Sequence, residues 1–182
     1  MAYFSNFPKI NYNGISARNI MLKSALISEI FSYVDSFYRY TVKDGYRADM
    51  VSYEEYKNPN YDWVVYFSNN IVDPYYEWPL TSEDLNRTMT KKYGATLYTL
   101  MSTIHHYEYT GLTNESAEDI DRKSWVMSPQ TYSIMPAVDR SGWTPVYTYD
   151  YEVDLNDSKR SIRLLDPSYI DQISSELSKI YQ

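Results

Sequence analysis

The densest apolar and aromatic run of the chain spans residues 58 to 80, NPNYDWVVYFSNNIVDPYYEWPL. Trp63, Val64, Phe67 and Ile71 recur there at spacings of one, three and four, which places them on one face of a helix. Asn58-Pro59 supplies a cap and a first helical position. Asn69-Asn70 favours a turn, and Asp73-Pro74 and Trp78-Pro79 favour extended backbone. The pattern predicts a short buried helix, its core side chains Trp63, Val64, Phe67 and Ile71, running into an aromatic extended exit.

The rest of the chain is read the same way. Residues 1 to 14 read as an extended arm. Leu22, Leu26, Ile30, Tyr33 and Phe37 have helical spacing, although residues 19 to 26 suit a strand equally, so the helix is placed at about 28 to 36. FYRYTV, 37 to 42, alternates as a strand and ends in the turn Lys43-Asp44-Gly45. A short helix follows at 49 to 56 with Asp49 as cap. Thr81-Ser82-Glu83-Asp84 opens another helix, with Leu85 and Met89 facing in and Lys91, Lys92 and Gly94 marking its end. Residues 95 to 109 read as strand and 110 to 130 as a long surface loop.

Near the C-terminus Tyr147, Tyr149, Tyr151, Val153 and Leu155 alternate with polar residues, the pattern of a half-buried strand. Asn156-Asp157-Ser158 then reads as a turn and 159 to 165 as the returning strand of a hairpin. Asp166-Pro167 opens a last helix striped by Ile170, Ile173, Leu177 and Ile180. The expected fold class is α+β in four segments. These are an arm and short helix at 1–37, a strand-helix-helix-strand module at 38–80, a helix, strand and loop at 81–145, and a β-hairpin plus helix at 146–182.

Composition narrows the function. A net charge of −7 without any basic run argues against nucleic acid as a partner. No apolar run is long enough to span a bilayer, so no membrane role is expected. The opening MAYFSNFPKI lacks the basic-then-apolar order of a signal peptide. With no cysteine, disulfides and thiolate metal sites are excluded. The 22 tyrosines suit either macromolecular contact or half-exposed strands.

Reaction chemistry finds little support. His105 and His106 are adjacent, and on a regular strand they would point to opposite faces and share no metal. Glu54-Glu55 reads as solvated helix surface rather than a hydrolase pair. The five glycines form no phosphate loop. No catalytic residue, metal or cofactor is expected. The stretch most suited to binding is the exit: Tyr75, Tyr76 and Trp78 as anchors, built on Asp73 and Pro74. Trp78 fits equally as cover for the module's own core. On extended backbone the two tyrosines would face opposite ways, one of them outward.

The order of elements at 38 to 80 resembles a LysM module. More specifically, YKNPNYDWVVYFSNNIVDPYYEWPL resembles the baseplate wedge protein of T4-like contractile-tailed bacteriophages, which carries a LysM-like domain and joins neighbouring wedges. The matching residues are Tyr56, Asn58, Pro59, Trp63, Val64, Val65, Asn69, Asn70, Asp73, Pro74, Tyr75, Tyr76 and Trp78. The opening YFSNFPKI and the last 35 residues are similar too, while 95 to 145 matches loosely. The resemblance implies a structural, non-enzymatic subunit that links adjacent wedges. Its partners would be other baseplate wedge proteins and copies of itself in neighbouring wedges. It would assemble in the host cytoplasm and end in the virion, in the tail baseplate. It also implies that 18 to 27 is extended. Lys57 stands where that family often has glycine, and Asp49-Met50 where LysM modules often have Asp-Thr, which counts against sugar binding. The alternatives are a LysM-type peptidoglycan-binding module of a tail protein and a cell-wall hydrolase.

Overall fold

The computed structural model describes residues 7–19, 36–111 and 125–180, with side chains to residue 175. In chain order the elements are β1 (Lys9–Tyr12), β2 (Ile15–Arg18), β3 (Phe37–Thr41), α1 (Ala48–Tyr56), α2 (Asp62–Ser68) and α3 (Pro74–Glu77). There follow α4 (Ser82–Tyr93), α5 (Leu97–Ser102), β4 (Ile104–Tyr109), β5 (Val126–Met127), α6 (Pro129–Ile134), β6 (Trp143–Tyr147) and α7 (Thr148–Ser158). The chain closes with β7 (Ser161–Leu165) and α8 (Ile170–Ile180). The class is α+β, as the pattern predicts. Two compact units divide the chain: Met1–Pro79 with Lys159–Gln182, and Leu80–Ser158.

In the first unit β3 and β7 form a two-stranded antiparallel sheet, Phe37 opposite Leu165 through Thr41 opposite Ser161. Helices α1 and α2 pack with it around Val51, Val64, Val65, Trp63, Ile162 and Leu164. The expected core is thus found: Trp63 and Val64 are buried, and Phe67 and Ile71 pack against them half-buried. Tyr56 is buried as well and donates its hydroxyl to the Leu165 carbonyl at 3.0 Å. The β-α-α-β order is therefore present, but its second strand comes from 161–165 and not from 72–80. The second unit is inserted between the helices and that strand.

The exit at 72–80 departs from the extended expectation, because residues 74–77 form the helical turn α3. Asp73 caps it, accepting the Tyr75 N–H at 3.0 Å. The Glu77 carboxylate reaches back to the N–H groups of Val72 at 2.6 Å and Asp73 at 2.9 Å. The same grammar recurs at Asn58-Pro59, Ser128-Pro129 and Asp166-Pro167, each with a side-chain cap and Pro in the first turn. Asn, Asp or Ser before proline thus starts a helical turn at each of these four sites, whereas Thr144-Pro145 lies within strand β6.

Helix α1 ends at Lys57, where the resembling family often has glycine. Lys57 has φ 58, in the left-handed region that favours a residue without Cβ. Its ammonium donates to the Glu54 carbonyl at 2.6 Å. Asp49 lies in the first turn and not at the cap, which is Arg47, and the Arg47 guanidinium grips the Asp49 carboxylate at 2.6 and 3.0 Å. The expected N-terminal arm is a β-hairpin from residue 9. Asn13 (φ 50) and Gly14 (φ 78) make its two-residue turn, the Asn-Gly pairing that matches strand twist. The helix expected at about 28 to 36 and the extended reading of 18 to 27 lie largely outside the described residues.

In the second unit α4 starts and stops as expected. Thr81 accepts the Asp84 N–H at 3.1 Å, and Gly94 closes the helix at φ 61. Leu85 and Met89 are buried against Leu100. Residues 95–109 are only half strand. Thr96 caps α5, accepting the Thr99 N–H at 3.3 Å, which brings Leu100 inward before β4 begins. Strand β4 is central in a three-stranded antiparallel sheet of order β5-β4-β6. Of the long loop expected at 110–130, residues 112–124 lie outside the described residues, while Val126–Met127 is strand.

The largest correction concerns 147–158. Tyr147 ends strand β6, but Tyr149, Tyr151, Val153 and Leu155 sit on a helix, α7, and β7 pairs with β3 rather than returning along them. The reason lies in which residues are buried. Thr148, Glu152 and Asn156, spaced by four, make the buried stripe of α7, and all three are polar. Each has a partner. The Thr148 hydroxyl donates to the Thr103 carbonyl at 3.1 Å. Glu152 accepts from the Lys92 ammonium at 2.6 Å and the Tyr93 hydroxyl at 2.7 Å. Asn156 donates to the Leu80 carbonyl at 3.1 Å and accepts the Leu80 N–H at 2.8 Å. A count of apolar positions cannot see a buried face made of polar residues. Asp166-Pro167 does open the last helix, through a short 3-10 turn, with Ile170 buried and Ile173 against the same core. The side chains of Leu177 and Ile180 lie outside the described residues.

Candidate protein interface

Turn α3 presents the expected tyrosines, but differently from an extended strand. Successive residues on a helical turn are about 100° apart rather than opposed. Both rings therefore point outward: Tyr75 is 78% and Tyr76 70% exposed. They meet edge to face, centroids 4.9 Å apart. Val72, 76% exposed, extends the apolar surface. The backbone beneath is held by Pro74, the Asp73 cap and the two Glu77 bonds. Lys159 adds a bond to the Tyr76 carbonyl at 2.8 Å. Asp73 and Pro74 thus build the turn, and the two rings are what it displays.

Trp78 sits elsewhere. It is 8% exposed, donates its indole N–H to the Tyr46 carbonyl at 2.9 Å and meets Tyr66 edge to face at 5.8 Å. Of the two roles left open for it, the structure gives it the core. The carboxylates weighed as a hydrolase pair are engaged with β3 and its turn. Glu54 accepts from Lys43 at 2.7 Å and from the Tyr40 hydroxyl at 3.1 Å, and Glu55 accepts the Tyr38 hydroxyl at 2.7 Å. Burial, then the bond to Glu54, pushes the Tyr40 phenol up to about 12.

The two histidines do not point to opposite faces. The β4–β6 register shifts between Ile104 and His106, and this irregularity brings both rings to one side. Their Nδ1 atoms lie 2.8 Å apart, so one donates and the other accepts. His106 Nε2 lies 3.0 Å from a Glu108 carboxylate oxygen, and the His105 ring stacks on Tyr151 at 4.0 Å. Among the described residues no group of three or more His, Asp or Glu is arranged to hold a metal. Nor is any described helix long and apolar enough to cross a membrane.

Burial lowers the His105 pKa below its ordinary 6.5, and the neighbouring His106 adds to this against the pull of Glu152. The unfolded chain therefore takes up this proton first as pH falls. Stability from a neutral His105 is complete above about pH 6.5 and is lost on acidification. Burial works to raise the Glu152 pKa, but the bonds from Lys92 and Tyr93 hold it below 4.5. Its contribution is lost only at lower pH. The denaturation midpoint of the second unit is expected to fall between about pH 7 and pH 5, and His105→Asn should flatten that step. Equal midpoints at the two pH values in the unaltered protein would contradict this.

The family model described as base plate wedge protein 53 matches residues 3–112, more than half of the chain, and the chain belongs to that phage family. It is a structural subunit of the phage tail baseplate and associates with other baseplate proteins. Residues 113–182, including β7, lie beyond the matched stretch. No curated protein matches the chain.

Proposed function

We propose that this subunit joins adjacent wedges during baseplate assembly, and that it does so by contact rather than by catalysis. Its partners are other wedge proteins and copies of itself in neighbouring wedges, met in the host cytoplasm and retained in the virion. The observation that carries this reading is the rigid, outward Tyr75–Tyr76 pair beside Val72. Large rings on fixed backbone lose little freedom on binding, which is what an interface anchor requires. Around a ring, several such contacts add through effective concentration. The β-α-α-β order supports the LysM-like description, with its last strand supplied from beyond the inserted unit.

The test uses purified wedges and purified subunit. The unaltered subunit is expected to convert separate wedges to joined ones. The Tyr75→Ala/Tyr76→Ala protein should need at least about tenfold more, the size of a modest hot spot. Equal joining by the variant would remove these tyrosines from the interface. Peptidoglycan binding is the second reading, favoured by the same β-α-α-β order with exposed aromatics after α2. It requires the subunit to sediment with insoluble peptidoglycan and the double variant to stay in solution.

A further inference from the structure

A two-stranded sheet has two outer edges, and those of β3 and β7 are treated differently. Bonds from the Val42 N–H to the Arg160 carbonyl and from the Asp166 N–H to the Ser36 carbonyl, 2.9 Å each, set the parity. Residues 36, 38, 40 and 42 turn their backbone groups toward β7. Residues 37, 39 and 41 turn theirs away, as do 161, 163 and 165 on the other strand.

The β7 edge is closed by side chains. The Asn69 carboxamide accepts the Arg163 N–H and donates to the Arg163 carbonyl, both at 2.8 Å, as a neighbouring strand would. The next outward carbonyl, of Leu165, takes the Tyr56 hydroxyl. On β3 the outward backbone groups of Arg39 and Thr41 have no hydrogen-bond partner among the described residues, and both residues are exposed. Among the described residues, one edge is blocked against a further strand and the other is open.

Charge says what the open edge would accept. Arg39 lies directly opposite Arg163 in a pair whose side chains share the face away from α1 and α2. Like charges so placed disfavour the sheet. Arg39 has no ion-pair partner among the described residues, in a chain of net charge −7. Resting on the wedge-joining reading, we propose that the outer edge of β3 accepts an acidic extended segment of another baseplate protein. The segment adds as a third strand, its backbone on Arg39 and Thr41 and its carboxylates on Arg39.

The test measures amide hydrogen exchange at Arg39 and Thr41 in the free subunit and in joined wedges. Fast exchange in the free subunit, slowed at least about a hundredfold in joined wedges, is expected; equal rates would overturn the proposal. Thr41→Pro removes only an outward N–H and suits an edge strand. It should bind wedges at least about tenfold more weakly with an unchanged denaturation midpoint. Arg39→Glu should weaken binding similarly, and should do so even if the proline variant is destabilised. Wild-type binding by Arg39→Glu would overturn the acidic partner. Protection that rises with the concentration of subunit alone would make the occupant a second copy and also overturn it. Wedges that join without the subunit would end the wedge-joining reading while leaving any protection at 39 and 41 in place. Joined wedges that need the subunit but leave these amides fast would end the edge proposal alone.

Discussion

Trp78→Ala is expected to destabilise the first unit by about 3–5 kcal/mol, while Tyr75→Ala and Tyr76→Ala, three and two residues away, change it by less than about 0.5 kcal/mol. Trp78 fills core volume beside Tyr66, and its indole N–H satisfies the Tyr46 carbonyl. Truncation removes the packing, leaves a cavity and strands a carbonyl. The two tyrosine rings lie in water and support no buried group. Denaturant titration followed by circular dichroism separates the cases. Loss on that scale exceeds half the stability of a weakly stable domain, so the Trp78 variant should yield little folded subunit. A Trp78→Ala protein as stable as the original would mean that the ring is surface, and the core assignment would fail.

Asn156→Ala carries the second large effect, about 2–4 kcal/mol on the second unit. Asn156 is 2% exposed and its carboxamide bonds both backbone groups of Leu80, at the point where the chain enters that unit. Alanine deletes both bonds to Leu80 together with the packing of the buried carboxamide, and a hydrogen bond lost at a part-buried site costs about 1–3 kcal/mol. Asn156→Asp keeps the acceptor and loses the donor, so it should fall between alanine and the original. A midpoint for Asn156→Ala within about 0.5 kcal/mol of the original would show that water replaces both bonds.

Asn156 also shows where sequence reading stops. Residues 69 and 156 are both asparagines next to polar residues, and both read as turn formers. In the fold each uses its carboxamide to bond both backbone groups of a residue far along the chain, Arg163 and Leu80. Nothing local marks such a role. The alternation at 147–155 misled for a related reason, because α7 buries Thr148, Glu152 and Asn156 while its tyrosines alternate by coincidence. The buried stripe was visible as spacing by four but not as hydrophobicity.

Local signals were legible where one residue decides. Caps at Thr81 and Asn58, the stop at Gly94 and the face Trp63, Val64, Phe67, Ile71 stand as read. Asn13-Gly14 is an equally decisive turn signal, set inside an arm of mixed composition. Pairing was not legible, since β3 finds its partner more than a hundred residues later with a whole unit between them. For the candidate interface, Tyr75 and Tyr76 were readable as anchors. That both face outward depends on reading Asp73-Pro74 as a helix start, as Asn58-Pro59 had been.

The most direct measurement is sedimentation of tail intermediates from infected cells lacking this subunit. Separate wedges are expected to accumulate, with complete baseplates missing, and the unaltered subunit added back should join them. Baseplates that form normally while the particles fail to adsorb or penetrate would contradict the wedge-joining account and leave wall binding or wall hydrolysis in its place.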